Sequence, residues 1–258
     1  MNDTRQQYQP SPDLLAGRNI LITGAGDGIG AAAALSFASH GANVILTGRT
    51  LSKLEAVYDR IEVQYPGRAV IHPLDLLSAT EADYKELAAS LDSNFESLDG
   101  LLHNAALLGP RSPVEFYPAS DWQQVMQVNV NGAFLLTRAL LPALTRSAGG
   151  RIVFTSSSVG RTGRAYWGAY CVSKFAVEGL MQMLAEELGN TTRIRVNSLN
   201  PGGTRTAMRK QAYPAENPAN VPAPESLMPA YLLLMGPDSD AIHGQALDAR
   251  NLEWPPAG

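Results

Sequence analysis

NILITGAGDGIGAAAALSF, residues 19–37, runs from an apolar strand through a glycine-rich turn straight into an alanine-rich helix. Ile20, Leu21 and Ile22 form a run with the length and branching of a buried strand. Gly24, Gly28 and Gly30 are spaced G-x-x-x-G-x-G, because Ile29 stands where G-x-G-x-x-G needs its last glycine. Glycines here let the backbone turn tightly and leave the amino end of the helix open to a pyrophosphate, whose charge the helix dipole favours. The same glycines would serve a plain strand-to-helix connection. The strand before and the helix after favour the phosphate reading, which places Gly24, Asp27, Gly28, Ile29 and Gly30 at a bound dinucleotide.

Outward from this stretch the pattern repeats. NVILT, AVIHPLD and LDGLLHNA are short apolar runs separated by the helix-length segments LSKLEAVYDRIEVQY and TEADYKELAASL. Such β-α alternation requires a parallel sheet covered by helices on both faces. The second half predicts a long helix from about Asp121 to Leu144, a strand at RIVFTS, a helix from about Gly168 to Leu188 and a strand at RIRVNSLN. A Pro/Asn-rich stretch, a short helix near Glu225 to Met235 and a last strand from Gly244 to Asp248 complete it. The expected fold is α/β: a doubly wound, Rossmann-like parallel sheet of about seven strands, with ligands outside the carboxyl ends of the strands. It reads as a polar extension over residues 1–14 and a single domain over 15–258, with a substrate loop near 207–224.

NVILT ends in Thr47-Gly48-Arg49, where such folds read the adenosine ribose. A carboxylate there binds the 2′-hydroxyl of NAD, and no acidic residue occupies Gly48 or Arg49. A guanidinium suits the 2′-phosphate of NADP, and one charge-assisted contact contributes roughly 1.5 to 3 kcal/mol. NADP(H) is therefore the expected cofactor, with NAD(H) as the alternative. Arg49 would also sit acceptably as a solvated turn residue, and Asp27 would repel the phosphate if its carboxylate faced it.

GAYCVSKFAVEGL places Tyr170 and Lys174 four residues apart, on one face of a helix. A phenol ordinarily loses its proton near pH 10, and roughly 4 kcal/mol of preferential stabilisation brings it to neutrality. One ammonium about 4 Å away in a partly shielded site supplies an interaction of that size. The pair alone occurs on many solvated helices, so its meaning depends on the rest of the chain.

Taken together, these motifs resemble the short-chain dehydrogenase/reductase family from about Leu15 to Asp248. The glycine motif matches Thr23 to Gly30. The resemblance assigns Asp75, with Leu76 beside it, to the adenine, and aligns His103-Asn104-Ala105-Ala106 with the family's Asn-Asn-Ala-Gly. Asn104 and Ala105 keep the cofactor positions, while His103 and Ala106 depart from the pattern. It implies a catalytic tetrad of Asn129, Ser157, Tyr170 and Lys174, with Ser157 thirteen residues before Tyr170. Pro201, Gly202, Thr204 and Thr206 match the nicotinamide-side motif. The activity implied is hydride transfer between NADP(H) and a carbonyl or alcohol. In it Tyr170 gives the proton, Ser157 bonds the carbonyl oxygen, and Lys174 holds ribose hydroxyls and lowers the phenol pKa. Asn129 holds a relaying water. The rival readings are an NAD-dependent alcohol dehydrogenase of the same fold and a non-catalytic dinucleotide-sensing module.

The 258 residues carry a net charge of −4, which argues against a broad nucleic-acid surface. The opening MNDTRQQYQPSPD lacks a signal peptide's basic and apolar regions, and no apolar run approaches a membrane span, so a cytoplasmic protein is expected. Cys171 is the single cysteine and reads as a packing residue. His40, His72, His103 and His243 show no metal-ligand spacing. Leu107, Leu108, Tyr166 and Trp167 are expected to border the substrate cleft, with packing in the core or at an oligomer interface the alternative for Trp167 and Leu108, and family likeness implies a homodimer or homotetramer.

Overall fold

The computed structural model describes residues 8–252. Seven strands form one parallel sheet: β1 (Asn19–Thr23), β2 (Asn43–Gly48), β3 (Ala69–Pro73), β4 (Gly100–His103), β5 (Arg151–Thr155), β6 (Arg195–Asn200) and β7 (Ala246–Asp248). Their order is β3-β2-β1-β4-β5-β6-β7. The chain thus winds outward from β1 to β3, then returns to start again at β4 on the other side of β1. At that reversal the connections leave to opposite faces and open a crevice. Thr23 pairs with Thr47, Thr155 with Leu199 and Asn200 with Asp248, so the carboxyl ends end nearly level. The final strand is shorter than expected and begins at Ala246.

Strand side chains alternate between the two faces of the sheet. Ile20 and Ile22 of β1 face one layer, with Val44 and Leu46 of β2 beside them. That layer contains α1 (Gly28–Ser39) and α8 (Met228–Met235). In α1 the fully buried Ala33 and Ala34 let the helix approach the sheet closely, while Phe37 fills the space beyond. Leu21 and Ile45 face the opposite layer, formed by α3 (Glu81–Asn94), α5 (Gly132–Arg146) and α6 (Gly168–Gly189). Each fully buried Leu or Ile contributes about 1.5–3 kcal/mol relative to exposure. Both faces of the sheet are covered, as its continuous apolar strands require.

The predicted long helix forms, but not as one regular α-helix. It comprises α4 (Ala119–Met126), a π-helical turn over Gln127–Asn131, and α5. The hydrophobic pattern that predicted one helix does not register the wider turn. The remaining helices are α2 (Leu51–Gln64) and α7 (Ala207–Ala212), the latter within the predicted substrate loop. From residue 8 onward the polar opening is packed: Tyr8 donates to Asp238 Oδ2 at 2.5 Å, and Leu15 is fully buried. Residues 1–7 of the expected extension and 253–258 of the expected domain lie outside the described residues. Among the described residues no helix is long and apolar enough to cross a membrane.

Candidate active site

Thr23 ends β1, and its hydroxyl ties together the two strands that flank the crevice. Thr23 Oγ1 accepts from the backbone N–H groups of Asn104 (2.9 Å) and Ala105 (3.0 Å) and donates to Leu102 O (3.3 Å). Asn104 Nδ2 returns a bond to Thr23 O at 3.2 Å. Gly24 and Gly28 adopt φ of 66° and 53°, which disfavour any side chain. Gly30 has a steric reason instead: a Cβ there would lie 2.2 Å from Gly24 O. Asp27 caps α1, its Oδ1 accepting from Gly28 N at 2.7 Å.

Asp27, which would repel a phosphate if its carboxylate faced it, is paired here with Lys53, whose ammonium lies 2.7 Å from Asp27 Oδ2. The hydrogen bond from Lys53 is the main reason the Asp27 carboxyl is held below its ordinary pKa. Arg49 is exposed on the cleft wall and has no hydrogen-bond or ion-pair partner among the described residues. Here Asp27 is already paired by Lys53, and Arg49 keeps an unpaired charge on the wall.

A cleft of about 540 Å³ runs along the carboxyl ends of the strands. Its wall includes Gly24, Asp27, Gly28, Ile29, Arg49, Asp75, Leu76, Asn104, Ala105, Ser157, Tyr170, Lys174, Pro201, Gly202, Thr204 and Thr206. Two predicted site residues lie behind that wall. Gly30 is buried against the Gly24 turn, and Asn129 is buried in the π turn. Asn129 Oδ1 accepts from Leu107 N (2.7 Å), and its Nδ2 donates to Leu107 O and Ser173 Oγ (both 2.9 Å). Both amide protons are committed, which leaves one Oδ1 lone pair for a water. Of the expected substrate-side residues, Leu107, Leu108 and Trp167 line the cleft. Tyr166 does not: it is 57% exposed and takes φ 70° outside the wall.

Tyr170 and Lys174 point from α6 into the cleft as their spacing requires. Lys174 is buried, and its Nζ donates to Thr155 O at 2.6 Å while standing 5.6 Å from the centre of the Tyr170 ring. Removal from water pulls its pKa down to about 8, and the Glu178 carboxylate one turn onward opposes that fall. The expected lowering of the phenol is not what this geometry gives. Burial pushes Tyr170 up to about 12, with a hydrogen bond to Ser157 acting the other way. With the ammonium turned to a carbonyl, desolvation of the phenolate dominates, and Tyr170 is held as a protonated acid. His103 serves structure. It is buried off the cleft wall, stacked on Phe154 at 4.6 Å, with Nε2 2.8 Å from Thr137 Oγ1. Because Thr137 gives its own proton to Ala133 O, Nε2 must be the donor. Burial pulls the imidazole down to about 3 and keeps it neutral.

Three features were missed from sequence. Lys53 follows Arg49 by four residues and is not singled out by any motif in the sequence. Glu178 extends the Tyr170–Lys174 spacing by one more turn. Its buried carboxylate accepts from Ser156 (2.5 Å), Ser198 (2.6 Å) and Arg161 (3.0 Å), tying α6 to β6 and to the turn that holds Ser157. The third is a cluster at the substrate loop: the guanidinium groups of Arg209 (3.9 Å) and Arg111 (5.1 Å) both approach the Tyr213 ring, and Arg111 also covers Trp167 at 4.8 Å. The i+4 spacing signals Glu178; the Asp27–Lys53 pair and the cluster each join segments too distant for any spacing rule.

Residues 18–217 match the family model described as short chain dehydrogenase. The chain is 52% identical over 243 residues to the uncharacterised oxidoreductase YciK of Escherichia coli, covering 94% of this chain and 96% of that protein. A short chain dehydrogenase structure from Pseudomonas syringae superposes with a TM-score of 0.92 at 60% identity, covering 94% of this chain and 98% of that one. One from Shigella flexneri, complexed with NADP, gives 0.91 at 51% identity, covering 93% and 100%. With the glycine turn, the level strand ends and the Tyr170–Lys174 helix facing one cleft, these matches place the chain in the short-chain dehydrogenase/reductase family of oxidoreductases.

Proposed function

We propose that this protein is an NADP(H)-dependent enzyme that interconverts a ketone or aldehyde with the corresponding alcohol. The observation that carries the reading is a single cleft with an unpaired guanidinium, Arg49, at one end and Ser157, Tyr170 and the buried Lys174 together at the other. The wall fits a dinucleotide. Gly24, Asp27, Gly28 and Ile29 would hold the pyrophosphate, in a turn where a Cβ at Gly24 would meet Ala105 at 3.0 Å. Asp75 and Leu76 would hold the adenine, Arg49 the 2′-phosphate, Asn104 and Ala105 the adjoining ribose, and Pro201, Gly202, Thr204 and Thr206 the nicotinamide side. The NADP complex of the similar Shigella flexneri chain supports this choice of cofactor. When bound, NADP(H) supplies or accepts the hydride.

The chain's own residues manage charge and protons. Tyr170, kept protonated by burial, is suited to give its proton to the oxygen of a carbonyl being reduced. Ser157 is placed to bond that oxygen as negative charge develops on it. Lys174 brings the one buried ammonium on the wall, and Asn129 fixes the backbone of Leu107 on the substrate side. Within the segment 207–224, Met208, Arg209, Gln211, Ala212 and Tyr213 reach the cleft, consistent with a substrate loop.

Tyr170→Phe tests the assignment. It should lower carbonyl reduction by at least about two orders of magnitude, the usual scale for a positioned proton donor, while NADPH still binds. A near-native rate would remove Tyr170 from the chemistry.

A further inference from the structure

We infer that the substrate carries an anionic group, carboxylate or phosphate, that Arg164 binds at the mouth of the cleft. This rests on the oxidoreductase reading above and narrows its substrate class. Arg164 stands on the turn between Ser157 and α6, so its position belongs to the substrate half. It is exposed and lines the cleft, and its guanidinium has no hydrogen-bond or ion-pair partner among the described residues.

The charges around it are one-sided. Among the described residues the only carboxylates on the cleft wall are Asp27 and Asp75, on the cofactor half. Asp27 is paired with Lys53, and Asp75 Oδ1 accepts from Leu77 N at 3.0 Å. The other cations of the substrate half are already engaged. Arg209 makes two bonds to Glu216, at 2.7 and 2.6 Å, and Lys174 donates to Thr155 O. Arg164, exposed on the wall, is left with its guanidinium unengaged, and a planar fork of donors matches a carboxylate or phosphate.

The backbone holds it there. Trp167 N donates to Arg164 O at 3.4 Å, closing the turn. Between them Tyr166 takes φ 70°, the single positive value at a non-glycine residue among the described residues. A bulky residue in that region is disfavoured and persists where its surroundings require it. The turn sends Trp167 inward, 5.8 Å from the Tyr170 ring, and leaves Arg164 at the rim. An apolar body against Trp167, Leu108 and Met208, with its carbonyl at Tyr170, would present an anionic end to Arg164.

The test uses two matched pairs of probes with NADPH: 4-acetylbenzoate with its methyl ester, and 4-acetylphenyl phosphate with 4-methoxyacetophenone. The native protein should favour the anion of at least one pair by about tenfold in kcat/KM, mainly through KM, and the pair that shows it identifies the group. Arg164→Ala should bring that ratio near one, Arg164→Lys should keep part of it, and NADPH affinity should stay within about twofold. Neutral probes reduced as well as both anions, or a ratio that survives Arg164→Ala, would overturn the inference while leaving the oxidoreductase reading standing. If none of the probes is reduced, titration of each pair into the NADP+-loaded protein gives the same comparison, and equal affinities overturn it. Anion binding that depends on Arg164 without NADPH oxidation by any carbonyl would instead count against the oxidoreductase reading.

Discussion

Lys174 is asked to hold a positive charge in a place that disfavours one. Burial lowers its pKa to about 8, and Glu178 opposes that fall from the next turn of the helix. Because the proton leaves at lower pH than in water, activity that needs the ammonium is present below about 8 and is lost as pH rises through it. Tyr170, at about 12, titrates too high to set that limb. Glu178→Gln removes the charge that favours the ammonium, so the descending limb of kcat/KM should move to lower pH; a limb that stays or moves upward would separate Glu178 from Lys174. Tyr170 and Lys174 were legible as a pair on one helix face, since i+4 geometry is local, while Ser157 was assigned by family resemblance. The state of the phenol was not legible, because desolvation depends on what covers a group. The Asp27–Lys53 pair was equally hidden: those residues meet only once α1 and α2 have packed side by side.

The turn between β1 and α1 shows how an element was readable down to single residues. Gly24 and Gly28 are needed for positive φ, and Gly30 for the 2.2 Å approach that a Cβ would make to Gly24 O. Gly30→Ala should therefore destabilise the fold by about 1–3 kcal/mol through overpacking and displace the turn, weakening NADPH binding. Thermal unfolding and a cofactor titration check this, and an unchanged Tm with unchanged affinity would contradict it. The helix carrying Asn129 was less readable. Its apolar pattern gave the extent correctly to within a few residues, but a π turn alters backbone bonding without changing which residues are apolar. That turn is the segment in which Asn129 reaches Leu107 and Ser173, so the local irregularity coincides with the candidate site. The strands were legible because both sheet faces are buried, which makes their sequences continuously apolar.

At the scale of the whole molecule, α6 divides its surfaces. One side carries Tyr170, Lys174 and Glu178 inward; the other exposes Val172 (43%), Phe175 (45%) and Met183 (45%), with Phe134 of α5 also 43% exposed. A Cβ on Gly179, along the same stripe, would meet nothing within 4 Å. We propose that a second copy covers this face, since a two-fold interface is the commonest closed arrangement. Light scattering should report a multiple of 27.6 kDa at micromolar concentration, and Phe175→Asp should shift it toward the monomer; a native monomer would contradict the proposal. The central claim, NADPH-linked carbonyl reduction, is tested most directly by following cofactor oxidation by the native protein over a panel of ketones and aldehydes, with NADPH and NADH in parallel. The account predicts carbonyl-dependent oxidation with at least about tenfold preference for NADPH, roughly 1.4 kcal/mol. Binding of either cofactor without oxidation by any carbonyl or reduction by any alcohol would contradict it.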